Sequence, residues 1–253
     1  MVRWLPWLCL LALVAGPISS RAAQPSVEAA CAAPAPFATP DSPLPAVAAA
    51  IKAGGPVNIL AIGSAATVGD QPGAGHHTAF PYRAVEALHA ALPGTSFGLT
   101  LRGGRGMTAQ DMLPLLKAAL SSQHYALVLW QTGTVEAVRG QDPDDLQSAL
   151  QEGIDDAVQA GADVVLIDPQ FSRFLRANTN LDPYETTMQD VAMMPGVVLF
   201  HRFDLMQSWA DDGGIDLESA SRANRGKLMA LLHTCLGQAL ARFVLAGANL
   251  ATQ

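Results

Sequence analysis

Basic residues are scarce in this chain. Its 253 residues include 15 Lys and Arg against 22 Asp and Glu, a formal net charge of −7. No cationic excess is left to neutralise phosphates, which argues against a nucleic-acid partner. Charge of either sign is sparse, at 15% of residues, while 50% of the chain is hydrophobic and the mean hydropathy is +0.23. Disorder over the bulk of the chain is excluded, because it needs low hydrophobicity and dense charge. The three cysteines and six histidines show no metal-ligand spacing, so neither a metal nor another cofactor is expected. No internal repeat is visible, and no apolar run beyond the N-terminus approaches the roughly 20 residues that cross a bilayer. What remains is enough chain for one good-sized domain with a core of its own.

The first 22 residues stand apart. Met1-Val2-Arg3 gives a short positive start, Trp4 to Val14 is an apolar run broken only by Pro6, and Gly16-Pro17 ends it. Ser20-Arg21-Ala22 then offers a small-x-small cleavage pattern, so residues 1–22 read as a secretory signal peptide. The expected product is a soluble periplasmic or secreted protein with no transmembrane segment after cleavage; a retained anchor is the alternative. Cys9 lies inside the apolar run, without the context of a lipoprotein cleavage site. Cleavage leaves Cys31 and Cys235, an even pair in a chain reaching an oxidising compartment. A bridge between them would tie the N-terminal arm to the C-terminal helix, and two separate buried thiols are the other reading.

Residues 23–54 are rich in Ala and Pro and read as an extended, solvated arm, ending in a short helix near Ala46 to Ala53. The pattern then changes. Val57 to Ile62 is an apolar run stopped by Gly63, as expected of a strand buried on both faces. Further strands are predicted at Phe97–Leu101, Tyr125–Trp130, Ala162–Ile167 and Val197–Phe200. Helices are predicted from Pro81 to Leu92, from Thr108 to Leu120, over Asp144–Ala160, near Asp204–Asp211 and over Asn224–Leu245. Thr108 with Asp111 three residues on resembles a capping box. Strand and helix alternate, which predicts a three-layer α/β/α domain over residues 55–247 with a five-stranded parallel sheet, followed by a tail at 248–253. Ligands of such folds sit outside the C-terminal ends of the strands.

The segments at those strand ends carry a resemblance. Ala61-Ile62-Gly63-Ser64-Ala65-Ala66-Thr67, Arg102-Gly103-Gly104-Arg105-Gly106-Met107-Thr108 and Trp130-Gln131-Thr132-Gly133-Thr134-Val135-Glu136 resemble three blocks of the SGNH (GDSL-type) esterase/lipase superfamily. Asp168-Pro169-Gln170 and the Cys235 region are similar to its secreted alphaproteobacterial members, and the resemblance runs over about residues 56 to 246. It implies a flavodoxin-like fold and hydrolysis of acyl esters. That chemistry needs a serine nucleophile, oxyanion donors that include a glycine and an asparagine, and an Asp-x-x-His pair that supplies the base. Carried over residue by residue, the nucleophile position is Ala65, the glycine is Gly103, the asparagine position is Val135, and the Asp and His positions fall on Asn224 and Lys227. No Asp-x-x-His occurs anywhere in the chain; Glu86-Ala87-Leu88-His89 has the spacing but lies in the helix after the first strand. Alanine has no nucleophilic atom, and lysine at neutral pH is a charged ammonium that cannot take a proton.

The resemblance thus implies an exported member of the superfamily with its catalytic machinery dismantled. It would bind an acylated envelope glycan, a lipid or a partner protein of the envelope. An active esterase with rearranged residues and a periplasmic scaffold are the alternatives. For the rearranged esterase, Ser64 is the candidate nucleophile and His76, His77 or His201 the candidate base. In the bland reading Ser64 satisfies the following turn, and the histidines are solvated loop residues. Ser64, Arg102, Gly103, Arg105, Gly133, Thr134, Asp168 and Gln170 are the residues expected to line a ligand cleft. His201, Arg202, Arg173 and Arg102 would suit an anionic ligand if they share one rim, though each is also an ordinary ion-pair partner. Glu136, beside Val135, would oppose an oxyanion. Trp130 and Trp209 read as core aromatics, and His233 as a packed helix residue.

Overall fold

The five apolar runs become the strands of one parallel sheet in the computed structural model, which describes residues 31–69 and 78–250 together with Met1. The rest of the signal segment with Cys9, arm residues 23–30, the His76–His77 pair and the last three residues lie outside the described residues. In chain order the elements are α1 (Pro45–Ala53), β1 (Val57–Gly63), α2 (Ala65–Val68), α3 (Phe80–Ala91), β2 (Phe97–Gly103), α4 (Ala109–Ser122) and β3 (Leu127–Gln131). They continue with α5 (Thr134–Arg139), α6 (Pro143–Gln159), β4 (Asp163–Ile167), α7 (Arg173–Asn178), α8 (Asp182–Val191), β5 (Val197–Phe200), α9 (Arg202–Asp211) and α10 (Arg222–Gly247).

The strands lie in the order β2-β1-β3-β4-β5, all parallel. This is the doubly wound order whose direction reverses at β1, so the crevice for a ligand opens at the C-terminal ends of β1 and β3. The side-chain period of two divides each strand between the sheet's faces. Ile59, Ala61, Leu127 and Leu129 enter the core shared with α1, α3 and α10. Leu60, Ile62, Val128 and Trp130 enter the one shared with α4, α6 and α8. The interior strands therefore read as unbroken apolar runs, while edge strand β2 is only part-buried.

Helix α10 is long and apolar enough, by length and composition, to cross a membrane, but Leu232, Leu236, Leu240, Phe243 and Val244 pack inside the domain. Its close approach to α3 depends on Gly237, where an added Cβ would lie 2.4 Å from the Cβ of Arg83.

Two readings change. The described part of the arm, residues 31–54, is docked rather than solvated. Leu44 N–H donates to Gly247 O (2.8 Å), Val47 N–H to Asp163 Oδ2 (3.0 Å) and Trp209 Nε1 to Ala32 O (2.8 Å), with Leu44 and Val47 buried. Four helices were not predicted: α2, α5, α7 and α8. The first three are too short to show a period; α8 places Tyr184, Met188 and Val191 in the core among acidic and Thr residues that blur the stripe. Cys31 and Cys235 are bridged, with an S–S distance of 2.00 Å. The capping box forms with both of its bonds, Thr108 Oγ1 accepting from Asp111 N–H and Asp111 accepting from Thr108 N–H.

Candidate functional site

At the reversal point β1 ends in Gly63, whose carbonyl accepts from Gly104 N–H at 3.1 Å. The opposing residue on β2 is Gly103, at φ +112°, where an added Cβ would lie 2.0 Å from that carbonyl. Gly103 is therefore required for two strand ends to meet, whatever else it does.

Ser64 follows Gly63 and turns toward the sheet. Its hydroxyl donates to Gln131 Oε1 (2.9 Å), as do its own N–H (3.2 Å) and Thr67 Oγ1 (3.1 Å). Gln131, 1% exposed at the end of β3, thus fastens β1 to β3 through one amide oxygen. An amide oxygen does not take a proton at neutral pH, so this arrangement does not activate a serine. Ala65, the next residue, faces the other way and borders a cleft of about 490 Å³.

Phe80, Phe171, Met206, Leu217 and Leu232 give the cleft apolar walls, and Arg105, Gln170, Arg202, Glu218 and His233 add polar groups. His233 on α10 has Nδ1 2.8 Å from Thr78 O. Glu218 accepts from Ser172 Oγ (2.8 Å) and from the N–H groups of Arg173 (2.9 Å) and Phe174 (3.0 Å), which joins it to the start of α7. Desolvation acts against its charge, but those donors hold the Glu218 carboxyl below its ordinary range.

Of the five positions implied by the resemblance, only Ala65 borders this cleft. Val135 is half-buried in the first turn of α5, and Asn224 and Lys227 are exposed on the opening turns of α10. Both of these last positions lie on a segment that is already helical from Arg222.

Of the eight residues expected to line a cleft, Arg105 and Gln170 do so and the others do not. Arg102 is exposed, its guanidinium donating to Leu101 O at 2.9 Å. Gly133 (φ +88°) is needed because a Cβ there would lie 2.9 Å from Pro169 Cγ. Thr134 Oγ1 accepts from Gln170 N–H at 3.3 Å and sets the loop after β4. Asp168 is buried beneath α9 and accepts from Phe203 N–H at 2.8 Å. Burial pushes its carboxyl well above the usual range, against the pull of that N–H and of the Arg202 charge.

The expected cationic rim does not assemble. Arg173 pairs with Asp216 (2.9 Å), and Glu218 and Asp211 lie 3.8 Å from it. His201 sits against Phe37 and between Asp168 and Asp204. Arg202 alone of that set enters the cleft. Trp130 and Trp209 are core residues. Among the described residues no three His, Cys, Asp or Glu side chains converge to hold a metal.

Glu136 is a correction. It does not face an oxyanion site; it is 2% exposed, Oε1 accepting from Ala109 N–H and Thr132 Oγ1 (both 2.6 Å) and Oε2 from Gly133 N–H (2.9 Å). One carboxylate thus secures the starts of α4 and α5. Glu136→Ala strands these donors in the interior, at about 1–3 kcal/mol each. The expected loss is at least about 3 kcal/mol, read as a lower urea midpoint, with Glu136→Gln losing less because its amide oxygen still accepts.

The membership of Phe171, Met206, Leu217 and Met229 in the cleft left no sequence signal, since an apolar residue in a pocket wall looks like one in a core.

Comparison with solved structures places this architecture. TesA matches with TM-score 0.54 at 19% identity, covering 71% of this chain and 97% of that one. LAE5, an alpha/beta hydrolase enzyme from the Lake Arreo metagenome, matches with TM-score 0.60 at 17% identity, over 78% of this chain and 97% of its own. A catalytic mutant of Axe2, an acetylxylan esterase from Geobacillus stearothermophilus, matches with TM-score 0.59 at 16% identity, over 74% and 93%. At these identities the likeness is one of fold, and the fold is that of the SGNH-type hydrolases. A search of curated protein sequences returned no match. The model of the non-GDSL lipase-like family matches residues 30–250, and the chain belongs to that family.

Proposed function

We propose that this protein is a member of its family that binds in the cleft without hydrolysing. The carrying observation is the division of labour at the end of β1: the residue that faces the cleft is Ala65, and the serine beside it has its hydroxyl on Gln131 Oε1. The ligand class is an acyl-bearing molecule, such as an acylated envelope glycan or a lipid, met in the periplasm or outside the cell after removal of residues 1–22. Two features support this. The cleft walls are mainly apolar, and the similar folds include an acetylxylan esterase and a lipase/acylhydrolase from Enterococcus faecalis. A rearranged esterase built on Ser64 and His201 finds no support, since neither residue borders the cleft.

The test is exposure of the folded, disulfide-intact protein to a fluorescent phosphonate, alongside turnover of short-chain p-nitrophenyl esters. Neither labelling nor turnover above that of Ser64→Ala is expected. Labelling that disappears in Ser64→Ala would establish a live esterase and end this reading.

A further inference from the structure

Arg202 opens α9, is 2% exposed, and borders the cleft that contains Ala65. It has no hydrogen-bond or ion-pair partner among the described residues, and its Nε is buried without an acceptor. An ion taken out of water normally needs a partner, because its desolvation costs several kcal/mol. Asp168 attracts the guanidinium but does not come within ion-pair distance, and burial drives that carboxyl toward its neutral form. Burial also lowers Arg202, but only to about 10, so it stays cationic at neutral pH. The cleft therefore holds a buried positive charge that no group among the described residues pairs directly.

We infer that the ligand of this cleft is an apolar acyl chain ending in a free carboxylate, with the carboxylate on Arg202 and the chain along Ala65, Phe80, Phe171, Met206 and Leu232. The inference rests on the proposed binding function and specifies its ligand. A cavity of about 490 Å³ lies in the range of small-ligand sites, roughly 300–1,000 Å³, and a guanidinium receives a carboxylate with two parallel hydrogen bonds. Glu218 selects against a phosphate. Its ionised carboxylate borders the same cleft and repels any anion, a doubly charged phosphate more strongly than a singly charged carboxylate. In the family's esterases a carboxylate is what ester hydrolysis releases; here it would be the species that is kept.

Calorimetric titration of the mature protein with decanoate, decan-1-ol and decyl phosphate tests this. Decanoate is expected to bind at least tenfold more tightly than either of the others. Arg202→Met should bind decanoate and decan-1-ol equally, and it should fold at least as stably as the parent because it removes an uncompensated buried charge. Equal binding of decanoate and decan-1-ol by the parent overturns the inference and leaves acyl binding standing. Tighter binding of decyl phosphate overturns the carboxylate assignment. Binding of none of the three overturns the inference and the acyl-binding function together.

Discussion

Replacing both members of the Cys31–Cys235 bridge by alanine is expected to cost about 5 kcal/mol of stability, the value the chain-entropy model gives for so long a closed loop. The cysteines are 204 residues apart, so reduction frees nearly the whole described chain in the unfolded state. The bridge also holds the docked arm. Beside it Arg242 donates to Cys31 O and Trp209 to Ala32 O, and the arm's Leu44 fills the space above Gly247, where a Cβ would lie 2.8 Å from Leu44. Freed of the bridge, the arm can lift from α10 and uncover Leu44 and Val47. For a domain of this size the thermal midpoint should fall by roughly 10–20 °C. Urea unfolding of Cys31→Ala/Cys235→Ala, and of the parent with and without reductant, reads the loss directly. A loss under about 1 kcal/mol would mean that the non-covalent arm contacts alone secure the N-terminal segment. Such dependence would be compatible with the proposed export, since an oxidising compartment preserves the bond.

The fold was readable from residue pattern because its determinants are local and repeated. Five apolar runs of strand length, separated by amphipathic stretches, permit few arrangements other than a covered parallel sheet, and each run appears within two residues of its predicted bounds. The site was less readable, for a physical reason. The glycines that carry the family resemblance, Gly63, Gly103 and Gly133, are held by steric need. A Cβ on them would meet Thr67, the Gly63 carbonyl and Pro169 respectively. The blocks therefore report backbone geometry, which persists when the chemistry changes. Glu136 and Asp168 looked like site carboxylates but serve helix starts, because a buried acid that caps a helix and one that faces a ligand have the same sequence signature. Conversely, Arg202 and His233 border the cleft from the two helices that close the chain, and their place there follows from how α9 and α10 pack. No spacing in the sequence encodes that.

Restoring the nucleophile alone, by Ala65→Ser, is expected to leave ester hydrolysis undetectable, on the order of 10⁶-fold below an intact triad enzyme. The size of the deficit follows from cooperativity. A serine hydroxyl attacks only as its proton is taken, so nucleophile and base act as one unit, and losing either costs nearly as much as losing both. The positions that should supply the base, Asn224 and Lys227, are exposed on α10 and do not border the cleft. The asparagine position is Val135, which has no side-chain donor, and Gly103 alone leaves an oxyanion short of donors. Among the described residues His233 is the histidine that borders the cleft, with Nδ1 beside the Thr78 carbonyl. It provides a route by which the expectation could fail. The measurement is p-nitrophenyl butyrate turnover and phosphonate labelling of Ala65→Ser and of Ala65→Ser/His233→Ala. Silence in both is expected. Turnover that appears in the first and vanishes in the second would show that a base survives on α10, and that this cleft is one residue from catalysis rather than four.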